Sequence, residues 1–420
     1  MRRSFLTRLR SGERGAVSTI FAVLLMGGVV MGMLALTVDV GNAWSERRQL
    51  QNGADATALA LASDCAAGRE QECTTNPVAS LTPLAGRNAD DGRSDVKVCY
   101  RSGGSFSFAG PTCPEGAYEQ LTLCTPTPDW LTPDFPYVET VSRTRSADGN
   151  TTILPKFFSQ LLLGGPGDDV SVEACARATW GPPTSYTGTI PFVLSACEWQ
   201  GFMDTNGDGQ VNDSDLGYHI KPADGVKPGY GGSGQPPWPD ANREQVMYIF
   251  DGADATNCDY LNKDTAGGFG WVQSDDCQAT VTTDGWVQIS TGKAPANPCK
   301  TILEGLRGSV VAIPVFDCMV KDPSAEPSGP ISNYACSPDG AGGAKTYYHI
   351  KGWAQFFVSG YNMPSMSEAS YLSGVVPCSN PSACISGWFV EGALSGAPGG
   401  TIGSPGGSGD FGSYMVVPAG

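Results

Sequence analysis

The chain has 420 residues, long enough for two or three domains with a sizeable core. Only 16% of residues are charged, while 55 Gly and 31 Pro favour a loop-rich β protein over a helical bundle, at an apolar content too high for disorder. The net charge of −16 divides into +4 over residues 1–14 (five Arg, one Glu) and therefore −20 over the rest, which excludes the clustered Lys and Arg of a nucleic-acid footprint.

Residues 1–14 form a basic segment, with Arg2, Arg3, Arg8, Arg10 and Arg14. The segment 15–38 follows, and Ala16–Val38 carries no charge. As a helix those residues span about 34 Å, enough for a bilayer core. The positive-inside rule then places the N-terminus in the cytoplasm and everything after Val38 outside. The run exceeds a signal-peptide core, and its small-x-small site, Gly41-Asn42-Ala43, falls inside helix-like sequence. An uncleaved anchor in the lipid bilayer is therefore expected, with a cleaved signal peptide as the alternative. Gly28 and Gly32 form a G-x-x-x-G through which two such helices approach closely; glycine is also common in membrane helices without that role.

Over 39–66, Val40, Ala43, Trp44, Leu50, Ala54, Ala58 and Leu61 recur at three- and four-residue steps, the stripe of a continuing helix. Trp44 lies about one turn past the apolar run, where aromatic residues anchor at the interface. The Ala-rich surface from Ala54 to Ala62 lets another backbone come close, which suits lateral packing against partner subunits; a plain stalk is the alternative.

The words "RGAVSTIFAVLL" and "LALTVDVGNAWSERRQLQNGADATALALA" resemble the N-terminal segment of TadG-like proteins of the Flp (tight adherence) pilus-assembly system. The most specific parts are Arg14-Gly15-Ala16, Asp39-Val40-Gly41 and "RRQLQNGADATALALA". "SRTRSADGNTTILPKFFSQLLLGG" with "VSVEACARATW" is similar to the portion that follows, and words such as "YYHIKGWAQFFVSGYN" to longer members of the family. The resemblance implies a pilus-assembly component with other pilus-assembly membrane proteins as partners. Two departures limit it. Counting from Ala16, the fifth position is Ile20, where pilins carry Glu, so processing after Gly15 and entry into the filament are not expected. The D-x-S-x-S metal motif of members with a von Willebrand-type A domain is missing too.

Residues 67–186 read as a small α+β domain: "SDVKVCY", "YVETVSRT" and "VSVEACARATW" as strands, "LPKFFSQLLLGG" as a short helix. "GPPTSYTG" at 181–188 marks a boundary, and residues 187–420 read as a β-rich disulfide-bonded domain. Its strands include "VVAIPVFDCMV", "TYYHIKGWAQFFVSGY" and, after a Gly-rich stretch, "SYMVV". Fourteen cysteines, none before Cys65 and none in C-x-x-C, indicate disulfides in an oxidising compartment rather than metal thiolates. Cys65–Cys73 and Cys378–Cys384 are the first pairings to expect by proximity.

"DTNGDGQVNDSD" at 204–215 spaces oxygen ligands as a calcium loop does. Asp204, Asn206, Asp208, the carbonyl of Gln210, Asn212 and Asp215 take positions 1, 3, 5, 7, 9 and 12, with Gly209 at the sharp turn. Structural calcium is expected there, against an acidic turn that binds nothing. Only two histidines exist, His219 and His349, and no nucleophile, P-loop or zinc-protease motif accompanies them. Trp130, Trp180, Trp199, Trp271, Trp286, Trp353 and Trp388 suit either sugar stacking or core packing.

The fold class expected is a single N-terminal transmembrane helix with a helical extension, then an extracytoplasmic disulfide-bonded region, α+β followed by mainly β. The function expected is a non-enzymatic, outward-facing component of a Flp (Tad) pilus system in the cell membrane. The alternatives are a surface-anchored, calcium-dependent adhesin or glycan-binding module, and a hydrolase using an unidentified carboxylate pair.

Overall fold

The computed structural model describes residues 17–26, 29–67, 71–90, 92–104, 106–113, 127–144, 172–188, 192–203, 244–249, 259–260, 263–264, 269–272, 277, 279–290, 297–321, 323–337, 345–379, 383–390, 392–394, 401–406 and 409–420. The expected helix "LPKFFSQLLLGG", the calcium loop at 204–215 and His219 lie outside them.

No proline interrupts the chain between Ala16 and Asn76, and good helix formers dominate it. Helix α1 covers 17–26 and helix α2 covers Val29–Ala66, 38 residues or about 57 Å. Of the expected 23-residue span, residues 17–26 and 29–38 are described, and both are helical. Among the described residues no helix is long and apolar enough to cross a membrane. The helical extension itself runs without a break from 39 to Ala66.

A second helix of this layer, α3 (Pro77–Gly86), has no counterpart among the sequence expectations. Pro77 occupies its first turn, where a missing N–H costs nothing. The Cys65–Cys73 disulfide ties α2 to the segment leading into α3.

Strands β1 (Ser94–Arg101), β2 (Tyr137–Thr144) and β3 (Glu173–Gly181) form an antiparallel sheet under these helices. After β3 the chain enters β4 (Ser185–Gly188) and β5 (Phe192–Ser195), helix α4 (Ala196–Met203) and β6 (Gln245–Tyr248). The short strands β7 (Asp259–Tyr260) and β8 (Lys263–Asp264) pair with each other. Next come β9 (Phe269–Val272), β10 (Ala279–Thr282), β11 (Trp286–Ser290) and helix α5 (Asn297–Leu306). The long strands β12 (Val310–Lys321) and β13 (Thr346–Met363) are followed by β14 (Met366–Glu368), β15 (Cys384–Val390), β16 (Gly392–Ala393), β17 (Asp410–Phe411) and β18 (Ser413–Pro418).

The larger sheet runs β11-β9-β5-β12-β13-β15-β6, and β11 also pairs with β13. Strands β11, β9, β5, β12 and β13 therefore close into a ring. One apolar cluster draws on all five, with Val193, Val272, Ile289, Phe316, Met319, Tyr348, Ile350 and Trp353 buried together. A second cluster joins the same sheet to α4 and α5 through Leu194, Trp199, Leu303, Val315, Phe356 and Phe389. Strand β13 bends at a register shift between Val358 and Gly360, and at Gly360 an added Cβ would lie 2.7 Å from the Ser370 nitrogen.

The first sheet is completed from far along the chain. Strand β18 pairs antiparallel with β3 and β16 pairs with β18, giving the order β1-β2-β3-β18-β16. "SYMVV", expected with the C-terminal β region, thus lies in the N-terminal layer. Tyr414 is buried there beneath α2 with Trp180.

Both near-neighbour disulfides are present, Cys65–Cys73 and Cys378–Cys384, together with Cys99–Cys113, Cys277–Cys299 and Cys318–Cys336. Cys175 and Cys197 are also oxidised, and no described cysteine is free.

Candidate interaction surface on the N-terminal helix

Helix α2 has two parts that differ in what covers them. From Leu50 onward its apolar stripe is buried: Leu50, Ala54, Ala58, Leu61, Ala62 and Cys65 lie on the first sheet, against Val138, Ala174, Ala176 and Ala178. Small side chains suit this face because short polar side chains of helix and sheet hydrogen-bond across it, which requires a close approach. The Thr57 hydroxyl donates to Thr140 Oγ1 at 3.0 Å, and the Thr140 hydroxyl donates to the Ala54 carbonyl at 2.9 Å. Gln51 Nε2 donates to the Cys175 carbonyl at 3.0 Å. The Ala-rich surface expected to pack against partner subunits is therefore filled by the chain's own sheet. Polar groups on α2 and β2 find each other across this interface, so the contact is directional as well as apolar.

Gln49 lies near the upper end of the docking, with Ala43 packed above it against Leu50, Val172 and Ala174. Its amide donates to Asp90 Oδ2 at 2.6 Å and its carbonyl accepts the Asp90 backbone N–H at 2.8 Å. Above it, Met33, Leu34, Val38, Val40 and Trp44 are exposed, as are Val17, Ile20, Phe21, Val23, Leu24, Leu25 and Met26 in α1. These are uncovered apolar side chains at one end of a well-packed body. Exposed apolar surface on that scale marks a place where another apolar phase or partner is met. Gly28 and Gly32 lie within this stretch; Gly28 is outside the described residues, and the backbone of Gly32 is helical.

Residues 15–64 match the Tad family, Flp pilus-assembly TadE/G-like. That segment is TadE/G-like. It takes in the exposed rod and nearly all of the docked half of α2, ending just before Cys65. No curated protein and no solved structure matches the chain. Within the Tad segment, the buried residues that hold the helix to the body fall inside "RRQLQNGADATALALA", one of its three most specific words.

Elsewhere the described residues hold one buried acid–imidazole pair. His349 Nδ1 lies 2.6 Å from Asp317 Oδ1, and both side chains are shielded from solvent. Sequence spacing gave no sign of this pairing. A register shift in β12 between Phe316 and Cys318 singles out Asp317 as the bulged residue and turns its carboxylate toward His349 on β13. Trp286 packs against His349 with ring centroids 5.0 Å apart, and Tyr334 against Trp286 at 4.8 Å. The segment 323–337 is fastened beside them by Cys318–Cys336 and by Trp286 Nε1 donating to the Gly329 carbonyl at 3.1 Å. His349 is a packed strand residue.

The tryptophans divide in the same direction. Trp180, Trp199, Trp271, Trp353 and Trp388 are buried in the core, Trp286 is half-buried, and Trp130 is exposed. Burial pushes the Tyr100 phenol up to about 12. For Tyr361 burial, helped by the nearby Glu368 and Glu304 charges and opposed by Arg307, has the same result, about 12.

Proposed function

We propose that the chain is a membrane-anchored, outward-facing component of a Flp (Tad) type pilus system, with an assembly or anchoring role and no turnover. The observation that carries this reading is the Tad match over 15–64, and the division of that segment into an uncovered apolar rod and a half docked on its own body supports it. Residues 15–38 would cross the bilayer, with residues 1–14 on the cytoplasmic side, where their net charge of +4 is favoured. The disulfides accord with an oxidising exterior for everything beyond Cys65.

Because the docked face of α2 is already occupied, partner contacts fall on residues 17–48, including any self-association through Gly28 and Gly32. A structural calcium ion held by Asp204, Asn206, Asp208, Gln210, Asn212 and Asp215 belongs to the same proposal, since loops of this kind order an insertion when external calcium is millimolar.

The test is co-purification from cross-linked cells. Pilus-assembly membrane proteins should be recovered with the full chain and with a chimera that keeps residues 1–66 on a foreign body. Deleting residues 16–48 should remove them. Recovery that follows the β region instead would overturn the assignment.

A further inference from the structure

Arg47 and Arg48 are the only basic residues between Arg14 and Arg69, and both are exposed. Among the described residues neither guanidinium is paired with a carboxylate. Instead Arg48 lies over the face of Trp44, its guanidinium carbon 3.7 Å from the ring centroid. Trp44 itself is 59% exposed, a large uncovered area for an indole. Val40, Trp44 and Arg48 follow each other at steps of four, so they share one side of α2. They continue upward the stripe that the sheet covers below Leu50. In this upper part, among the described residues, nothing in the body covers Trp44 or Val40, which are 59% and 58% exposed.

Its distance from the apolar run says what does. Trp44 is six residues past Val38, about 9 Å along the helix axis, and Arg48 about 15 Å. Helical side chains lean toward the N-terminus, here toward the apolar run. Arg48 follows that rule, because its guanidinium rests on Trp44 one turn closer to Val38. Ring and cation are thus presented together at the depth of the headgroup layer, which extends several ångströms beyond the hydrocarbon. The remainder of the exterior carries a net negative charge, so these two arginines are a local exception beside an acidic body.

We propose that Trp44, Arg48 and Arg47 form a clasp for a phospholipid headgroup. The indole lies at the acyl–headgroup boundary, and the guanidinium groups donate hydrogen bonds to phosphate oxygens of the outward leaflet. Anionic headgroups are preferred over zwitterionic ones. The clasp fixes the depth and the rotation of the rod and so the attitude of the body above it. This rests on the membrane-anchor reading above and goes further by naming the ligand and the residues.

The test uses the full chain in lipid nanodiscs containing lipids brominated high on the acyl chain. Trp44 is the only tryptophan before Trp130, so the difference between the wild type and Trp44→Phe isolates its emission. Bromines carried on phosphatidylglycerol should quench that component more than the same fraction on phosphatidylcholine, corresponding to roughly fivefold local enrichment for one such cation. The double variant Arg47→Gln with Arg48→Gln should abolish the preference while circular dichroism stays unchanged. A Trp44 component that is unquenched, or that shows no lipid preference, overturns the clasp even if the protein stays in the disc. Quenching that falls as copies per disc increase assigns the surface to a second copy and also overturns it. A protein that does not partition with the discs overturns the anchor as well.

Discussion

The side chain of Gln49 on α2 and the backbone and carboxylate of Asp90 on the turn after α3 are joined by two hydrogen bonds, at 2.6 and 2.8 Å. Among the described residues this tie lies near the upper end of the contact between the helix and its body, with Ala43 packed just above it against Leu50, Val172 and Ala174. Replacing Gln49 with Ala removes both bonds at an exposed position, so the cost should be below about 1 kcal/mol. Hydrogen exchange should quicken at the Asp90 amide and leave Leu61 untouched. An unchanged Asp90 rate would deny the tie.

Deeper in the interface the tolerance is smaller. Ala58 is buried where α2 meets the sheet. Ala58→Leu forces four heavy atoms' worth of side chain into a space built for one, and should cost about 1–3 kcal/mol. Asp55→Leu, at an exposed position whose carboxylate accepts an exposed hydrogen bond from Gln51, should cost little. Calorimetric melting of the two variants distinguishes a docking interface from a stalk.

The bulged Asp317 sets a different expectation. Asp317→Ala leaves the buried His349 Nδ1 without its acceptor and should lower stability by about 1–3 kcal/mol. Asp317→Asn retains an acceptor oxygen and should recover part of the loss. Urea unfolding followed at Trp286, which contacts His349, reads both.

Opening Cys318–Cys336 by a double serine substitution releases a loop with a sequence separation of 18. Loops of this size contribute about 3 kcal/mol in the chain-entropy account. Limited proteolysis should then cut within 323–335, which is protected in the wild type by the disulfide and by Trp286.

Alkaline stability follows from the phenols. Tyr100 and Tyr361 ionise near 10 when unfolded and are pushed up to about 12 in the folded protein, chiefly by burial. Above pH 10 the unfolded chain therefore binds fewer protons than the folded one. Stability is full below pH 10 and declines from there toward pH 12. Melting temperature measured from pH 9 to 11 should fall, and less steeply in Tyr100→Phe.

Much of this architecture was legible in residues that act locally. The proline-free, Ala-rich run gave the long helix, the alternation of "TYYHIKGWAQFFVSGY" gave β13, and close spacing gave the Cys65–Cys73 and Cys378–Cys384 bridges. What escaped depends on distant partners. The Ala face looked like a contact for other subunits because alanine spacing does not say which backbone approaches. The pairing of Asp317 with His349 depends on a bulge, and a bulge is a property of two strands in register. Helix α3 was hidden by its two prolines, one in the first turn and one inside the helix. The rod was legible as an apolar run, and its exposure agrees with that, while its passage through a bilayer belongs to the proposal.

Strand β18 has a consequence for biogenesis. The helix and three strands of the first layer leave the ribosome early, yet β3 keeps an open edge until Ser413–Pro418 arrives from the far side of the larger sheet. Until then that edge is available to any passing strand, including another nascent chain's β18. Every strand of the larger sheet is synthesised before the one that completes the N-terminal layer, so that layer's closing edge is the last to be made.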